Sequence, residues 1–308
     1  MTSPTVVQVK NMVKKYGDFA AIKGLSFEIN KGECFGVLGP KGAGKSSLMR
    51  IMYGASSLSS GDVFILGLNV NHHMTEIKSR IGVVPQNNGL DFDLSVVENL
   101  KLYGRFFGIE EKVLQERSEN LLRMVKMEDR SESSILELSD SLQKRLAMAR
   151  SLMNGPEVLF LDEPTVMLDP ESRSWSWKFL KSLKSPQTTL VLSTHFMEEA
   201  EHLCDRIALV DRGQLLALGD PKKLVDEFVG HEVVEFDATS QDLNYYTQKL
   251  KDQKFEYLVY HNTVHVFIDD QRTSKDVIQM VMSDRILARR ATLNDVFLKL
   301  SGTQLRET

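Results

Sequence analysis

Apolar and polar positions along this chain change period several times, and each change marks an element. Near the start, Thr5-Val6-Val7-Gln8-Val9 and Leu25-Ser26-Phe27-Glu28-Ile29 alternate or are rich in β-formers, and Cys34-Phe35-Gly36-Val37-Leu38 is a short apolar run stopped by Gly39. These predict strands, as does Asp62-Val63-Phe64-Ile65-Leu66 between two glycines. From Ser95 the period lengthens. Val96, Leu100, Tyr103 and Phe107 fall at i, i+4, i+7 and i+11, one stripe of a helix, read as core first and docking surface second. Helical patterns run to about residue 153, interrupted around 131–141. Buried-type strands then follow at 158–162 and 189–193 with a helix between them, and a third at 206–210 follows a helix that begins near Met197. Strands alternating with helices predict a mostly parallel sheet.

Past residue 230 the pattern restarts. Residues 232–236 read as a strand and 240–251 as a helix. The segments 256–260 and 263–268 read as a hairpin across His261-Asn262. Residues 273–282 read as helical, and Thr292-Leu293-Asn294-Asp295 as a capping-box start to a last helix. This β-α-β-β-α order, with room for a final strand, predicts a small α+β domain of ferredoxin-like type over 231–308.

The 308 residues suffice for one large domain and a small one, and 42% hydrophobic with 26% charged residues is ordinary for a globular chain. A net charge of -4 without a block of Lys and Arg disfavours a nucleic-acid partner. Cys34 and Cys204 lie far apart in sequence and read as two reduced thiols. No apolar run follows the first ten residues, so no secretory signal is expected. The longest apolar stretches fall far short of the roughly 20 residues that span a bilayer. Work at a membrane would need another chain to do the spanning.

Gly39-Pro40-Lys41-Gly42-Ala43-Gly44-Lys45-Ser46 matches G-x-x-x-x-G-K-[ST] and lies between a predicted strand and a helix that includes Ser47. Its glycines let backbone N–H groups close around phosphates, and the helix N-terminus adds partial positive charge. Lys45 is placed to reach the β- and γ-phosphates of ATP, and Ser46 to ligate Mg²⁺. The apolar strand 158–162 ends in Asp162-Glu163, which supplies a carboxylate for Mg²⁺ and a general base for the attacking water.

With both halves in place, residues 5–225 resemble the ABC ATPase family. The resemblance implies an α/β fold: a P-loop NTPase (RecA-like) core with an antiparallel β subdomain and a helical subdomain at about 88–150, together forming a nucleotide-binding domain over 1–228. It implies that Gln86 is the Q-loop glutamine, touching Mg²⁺ or the lytic water, and that His195 is the switch histidine. It also implies that Tyr16 stacks on adenine, that Asp169 lies in the D-loop of a dimer, and that Ser139 reaches in trans to the partner's ATP. His195-Phe196-Met197-Glu198-Glu199 lacks the spacing of a zinc motif. The segments 80–86, 196–201 and 293–300 are similar to exporter ATPases that pair with ABC-2-type permeases, the drug, lipo-oligosaccharide and nodulation-factor group. A multi-spanning permease is thus the implied partner, with the chain peripheral at the cytoplasmic face, touching the membrane only through it. The coupling helix would dock over 86–107, with Phe92 and Leu94 as the positions to perturb. A homodimer or a related ATPase subunit would complete the sites.

The signature segment departs from the family pattern. Where the family has L-S-G-G, this chain has Leu138-Ser139-Asp140-Ser141. Asp140 either sets a negative charge against the partner's phosphate or points to water and favours the helix start. Val166-Met167 replaces the usual Ser-Gly before Leu168-Asp169, and Lys41 replaces the P-loop asparagine. The competing reading is a nucleotide-binding regulatory subunit of low turnover.

Overall fold

The computed structural model describes residues 4–239, 241–269, 272–281 and 285–302. The expected helix limits at Ser240 and Met282 lie outside the described residues. The chain divides into two compact units, Met1–Leu215 and Leu216–Thr308, and the division falls inside the strand Gln214–Gly219.

A six-stranded sheet dominates the first unit. Its neighbours run Gln214–Gly219, Arg206–Asp211, Cys34–Leu38, Thr189–Thr194, Val158–Asp162 and Ile81–Val84. The pairings of Cys34–Leu38 with both its neighbours, and of Val158–Asp162 with both of its own, are parallel. Parallel strands covered on both faces bury every side chain, and Cys34–Leu38, Val158–Asp162 and Thr189–Thr194 are buried throughout. Alternation still divides them between two cores. Phe35, Phe160 and Val191 join the side of Leu48 and Met52, whereas Leu159, Leu161, Leu190 and Leu192 join that of Leu100, Leu121 and Leu146.

A four-stranded sheet, Phe19–Asn30, Thr5–Tyr16, Ser60–Ile65 and Leu68–Asn69 in that order, supplies Val7, Ile22 and Ile29 to the first of those cores. Helices Val96–Arg105, Glu111–Met124 and Asp140–Ser151 build the other. Val96 and Leu100 are fully buried there, and Ser95 closes a capping box with Glu98 at the start of the first. The expected strand at 62–66 runs from Ser60 to Ile65, because Leu66 takes a left-handed φ of 53° in the turn that follows. Cys34 and Cys204 meet in space. The Cys204 sulfur occupies the volume above Gly36, where a Cβ would lie 2.7 Å from it. Burial, then the neighbouring Cys34, push the Cys204 thiol well above its ordinary value, which makes it a poor nucleophile. Among the described residues no helix is long and apolar enough to cross a membrane.

The second unit carries a four-stranded antiparallel sheet in the order Glu256–Tyr260, Thr263–Ile268, Glu232–Asp237 and Ile286–Arg290. Helices Leu243–Asp252 and Ser274–Met280 pack Leu250 and Val277 with Val234, Phe236, Val264 and Val266. The last helix, Leu293–Ser301, opens on a capping box between Thr292 and Asp295. Arg289 donates to both Asp295 oxygens and to Glu235.

Candidate active site

Three neighbouring parallel strands end at one edge, which is where a parallel sheet places its ligands. Leu38 lies in register with Thr194, and Asp162 with Ser193. The residues next in sequence, Gly39, Glu163 and His195, therefore leave the sheet together.

Gly39 to Ser46 forms a loop that enters the helix Lys45–Met52. Glycine is required twice for different reasons. A Cβ on Gly39 would sit 2.0 Å from the Val210 carbonyl oxygen. Gly44 holds φ +103°, and a Cβ there would lie 2.5 Å from the Ala21 carbonyl. The helix start has no side-chain cap, so its N–H groups stay available to an anion. Ala43 is buried in the loop, while Lys41 and Gly42 are exposed along its rim and Pro40 half-exposed.

Lys45 is 4% exposed and donates to the Gly39 and Pro40 carbonyls at 2.8 and 3.0 Å. It also lies 3.4 Å from Glu163 Oε1. Burial lowers the Lys45 ammonium from its ordinary value, opposed by Glu163. Glu163 sits at φ 49°, with its N–H bonded to the Ser193 carbonyl and hydroxyl, each at 3.1 Å. His195 Nδ1 is 3.1 Å from Glu163 Oε2, without the alignment of a hydrogen bond. Burial alone would raise the Glu163 carboxyl, but His195 and Lys45 outweigh it and hold the group below the usual carboxylate range.

Asp162 Oδ1 accepts the Ser193 hydroxyl at 2.5 Å and the Ser46 hydroxyl at 3.3 Å. Its Oδ2 is buried with no hydrogen-bond partner. Burial raises this carboxyl, against the Ser193 bond. A buried carboxylate oxygen without a partner, next to a serine hydroxyl, is a hard-oxygen donor set that fits Mg²⁺.

The structure thus brings Lys45, Ser46, Asp162, Glu163 and His195 together. Tyr16 stands at the rim, half-exposed, with its hydroxyl 3.4 Å from Ser47 Oγ. Gln86 is exposed on the turn after Ile81–Val84, and no hydrogen bond joins its side chain to this group among the described residues. Ser139 caps its own helix, accepting from the Leu142 N–H at 3.4 Å, and its hydroxyl lies 3.0 Å from that of Ser141. Asp169 likewise caps the helix Pro170–Leu183 through the Ser172 N–H at 3.0 Å. Just before it, Met167 takes φ 64° and is 87% exposed, an apolar side chain in a conformation that favours glycine.

Several residues escaped the motifs. Ser193 bonds both Asp162 and the Glu163 backbone, and only its place two residues before His195 hinted at this. Glu199 is fully buried and accepts from Thr165 at 2.7 Å and Trp177 at 3.1 Å, tying the helix after His195 to the segment after Glu163. Lys144 is buried and donates to the Gln86 carbonyl at 3.2 Å, and burial pushes its ammonium down to about 8.

Beside the helical segment lies a groove of about 660 Å³, walled by Tyr53, Ile81, Tyr103, Phe106, Phe107 and Arg117. Phe106 is 76% exposed. Phe92, although exposed, and Leu94 do not line this groove.

Residues 22–166 match the ABC transporter family model. The chain is 37% identical over 302 residues to the Nod factor export ATP-binding protein I of Cupriavidus metallidurans, covering 98% of this chain and 99% of that one. It is 37% identical over 305 residues to the protein of the same name from Rhizobium meliloti, covering 99% and 90%. Among solved structures, it resembles the ATP-binding cassette MJ0796 in a dimeric post-hydrolysis state bound to ADP and Pi. That match has 28% identity and a TM-score of 0.65, over 70% of this chain and 98% of that one. A second is cbiO1 from Clostridium perfringens, part of the cbiONQ transporter complex, at 28% identity and TM-score 0.66, over 72% and 91%.

Proposed function

Because the chain belongs to the ABC transporter family and is an ATP-hydrolysing subunit, we propose that it drives an exporter as one of a pair of ATPases set against a multi-spanning permease of ABC-2 type. The observation that carries this reading is the meeting of Lys45, Asp162, Glu163 and His195 at one sheet edge, in a chain whose full-length relatives are named for export. Selectivity for the cargo resides in the permease.

The loop from Gly39 through Pro40, Lys41, Gly42, Ala43 and Gly44 to Ser46 and Ser47 receives the phosphates on backbone N–H groups, and Tyr16 stacks on the adenine. Lys45 turns from the Gly39 and Pro40 carbonyls and from Glu163 to the β- and γ-phosphates. That move frees the Glu163 carboxylate to accept a proton from the attacking water as the water oxygen bonds to the γ-phosphorus and ADP departs. His195 steadies Glu163 and follows the γ-phosphate. Ser46, Asp162 and Gln86 would hold Mg²⁺, which neutralises charge on the β- and γ-phosphates when bound. Ser139 reaches the partner copy's nucleotide, and Asp169 lies at the shared face.

We place a nucleotide-binding domain over 1–228 and a ferredoxin-like accessory domain over 231–308, supported by the sheet order of the latter. The permease's coupling segment docks in the groove walled by Tyr103, Phe106 and Phe107, which sets the chain at the cytoplasmic face as a peripheral subunit. One observation favours the second reading, a low-turnover regulatory subunit: the Ser139 hydroxyl is engaged by Ser141 and by its own helix.

The test is co-purification of the full chain with a co-expressed ABC-2-type permease, followed by nucleotide binding. The parent complex should bind MgATP and lose it in Lys45→Ala, with the permease still attached. A complex that forms with no permease, or unchanged binding in Lys45→Ala, contradicts the reading.

A further inference from the structure

The turn that carries Gln86 is held from outside the sheet. After Ile81–Val84, two local bonds shape it: Asn88 N–H to the Pro85 carbonyl at 3.1 Å and Gly89 N–H to the Asn87 carbonyl at 2.6 Å. Three further carbonyls of the same turn accept from cations of a single helix, Asp140–Ser151. Lys144 Nζ donates to the Gln86 carbonyl at 3.2 Å. Arg150 donates to the Asn88 carbonyl at 2.8 Å and, in a shorter bond, to the Gly89 carbonyl. Six residues of helix separate the two cations by about 9 Å, comparable to the length of the turn they grip.

Both cations depend on these carbonyls. Lys144 is 4% exposed. The Arg150 guanidinium stacks on Tyr103 at 5.1 Å, and its Nε is buried without a partner. Hydrogen bonds from a cation are roughly twice as strong as neutral ones. Pulling the turn away would leave the buried Lys144 ammonium and the half-buried Arg150 guanidinium short of acceptors, which is costly. The helix that supplies them begins at the Ser139 cap. Tyr103, on which Arg150 rests, is a wall of the groove.

We propose that Lys144 and Arg150 are positioning residues that clamp the Gln86 turn to the Ser139-bearing helix, so that Gln86 comes to the phosphate site only together with that helix. The proposal rests on the reading of Gln86 given above.

Lys144→Met and Arg150→Met in the full chain, with Arg150→Lys and Gln86→Ala beside them, test the clamp by two readouts. Backbone hydrogen exchange over residues 85–90 should quicken about tenfold in the Met variants. The kcat for MgATP should fall about tenfold with KM within twofold, and Arg150→Lys should recover part of it. Gln86→Ala combined with Arg150→Met should be no slower than Gln86→Ala alone, since the two act as one unit. Parental exchange over 85–90 overturns the clamp. So does a multiplicative loss in the double variant, or a loss that tracks a lowered melting temperature and is not recovered by Arg150→Lys. If Gln86→Ala itself turns over at the parental rate, the reading of Gln86 is what fails, and the exchange result alone decides the clamp.

Discussion

Replacing Asp140 and Ser141 by glycine should move activity and stability in opposite directions. Asp140 is exposed in the first turn of the helix Asp140–Ser151, and Ser141 Oγ lies 3.0 Å from Ser139 Oγ. In the paired assembly proposed above, this helix start would face the partner's γ-phosphate. A unit charge pair at about 5 Å and an effective dielectric of about 20 is worth about 3 kcal/mol. Solvent and salt reduce that to about 1 kcal/mol, a rate factor of about five. Removal of the Ser141 hydroxyl also leaves the Ser139 hydroxyl with only the Leu142 N–H as partner. Against this, the acid favours the helix N-terminus by about 0.3–1 kcal/mol, and each glycine costs up to about 1 kcal/mol in a helix. Asp140→Gly with Ser141→Gly should therefore lower the melting temperature by several degrees yet raise steady-state hydrolysis several-fold in a homodimer. In a pair with a different ATPase whose own signature is intact, the rise should be modest. Both quantities are measured at saturating MgATP on a complex of known subunit composition. An unchanged or lower rate in a proven homodimer refutes the reasoning, and means that the Asp140 carboxylate points to water.

Two further outcomes follow from the geometry. The Glu235 carboxyl is held at about 2 by the His265 ring and by Arg289, against burial, from an ordinary 4.5. Its folded value is depressed, so the stabilisation is complete above about 4.5 and is lost as the pH falls toward 2. It amounts to about 2–3 kcal/mol. The melting temperature should drop between pH 5 and 3 in the parent and less in Glu235→Gln; parallel curves refute the linkage. Phe106→Glu, in the groove wall, should release the chain from its permease at an unchanged melting temperature, while Phe92→Glu, at the position the sequence alone pointed to but outside the wall, should not. Pull-down of the permease by each variant decides it, and retention by Phe106→Glu removes the groove from docking.

The parallel strands were legible because their apolar runs end at residues with chemistry: Leu38 before Gly39, and Phe160-Leu161 before Asp162. The hairpin Glu256–Tyr260 and Thr263–Ile268 was legible because β-branched and aromatic residues flank a two-residue turn. Ile81–Val84 is only four residues long and carries no alternation. Gln214–Gly219 reads as a mixed apolar stretch until it finds an edge of the sheet. At the site, the family resemblance singled out His195, and motif spacing singled out Lys45, Ser46, Asp162 and Glu163, since phosphate chemistry constrains their order. It could not locate Ser193, Lys144, Arg150 or Glu199, whose partners lie 31, 58, 62 and 34 positions away in the chain. Contacts of that kind follow from register and helix packing, which a single sequence does not display. The meeting of Cys34 with Cys204 escaped for the same reason.

Central to the proposed function is Glu163 acting as the base of an ATPase whose two copies close on nucleotide. The direct measurement is Glu163→Gln in the full complex, read for MgATP affinity, turnover and dimer formation together. Glutamine keeps the shape and the contact with Lys45 and His195 but cannot accept the proton of water. Near-parental MgATP affinity, turnover reduced at least about a hundredfold, and a dimer that accumulates with ATP are expected. Hydrolysis at the parental rate by Glu163→Gln contradicts the role of Glu163 as the base.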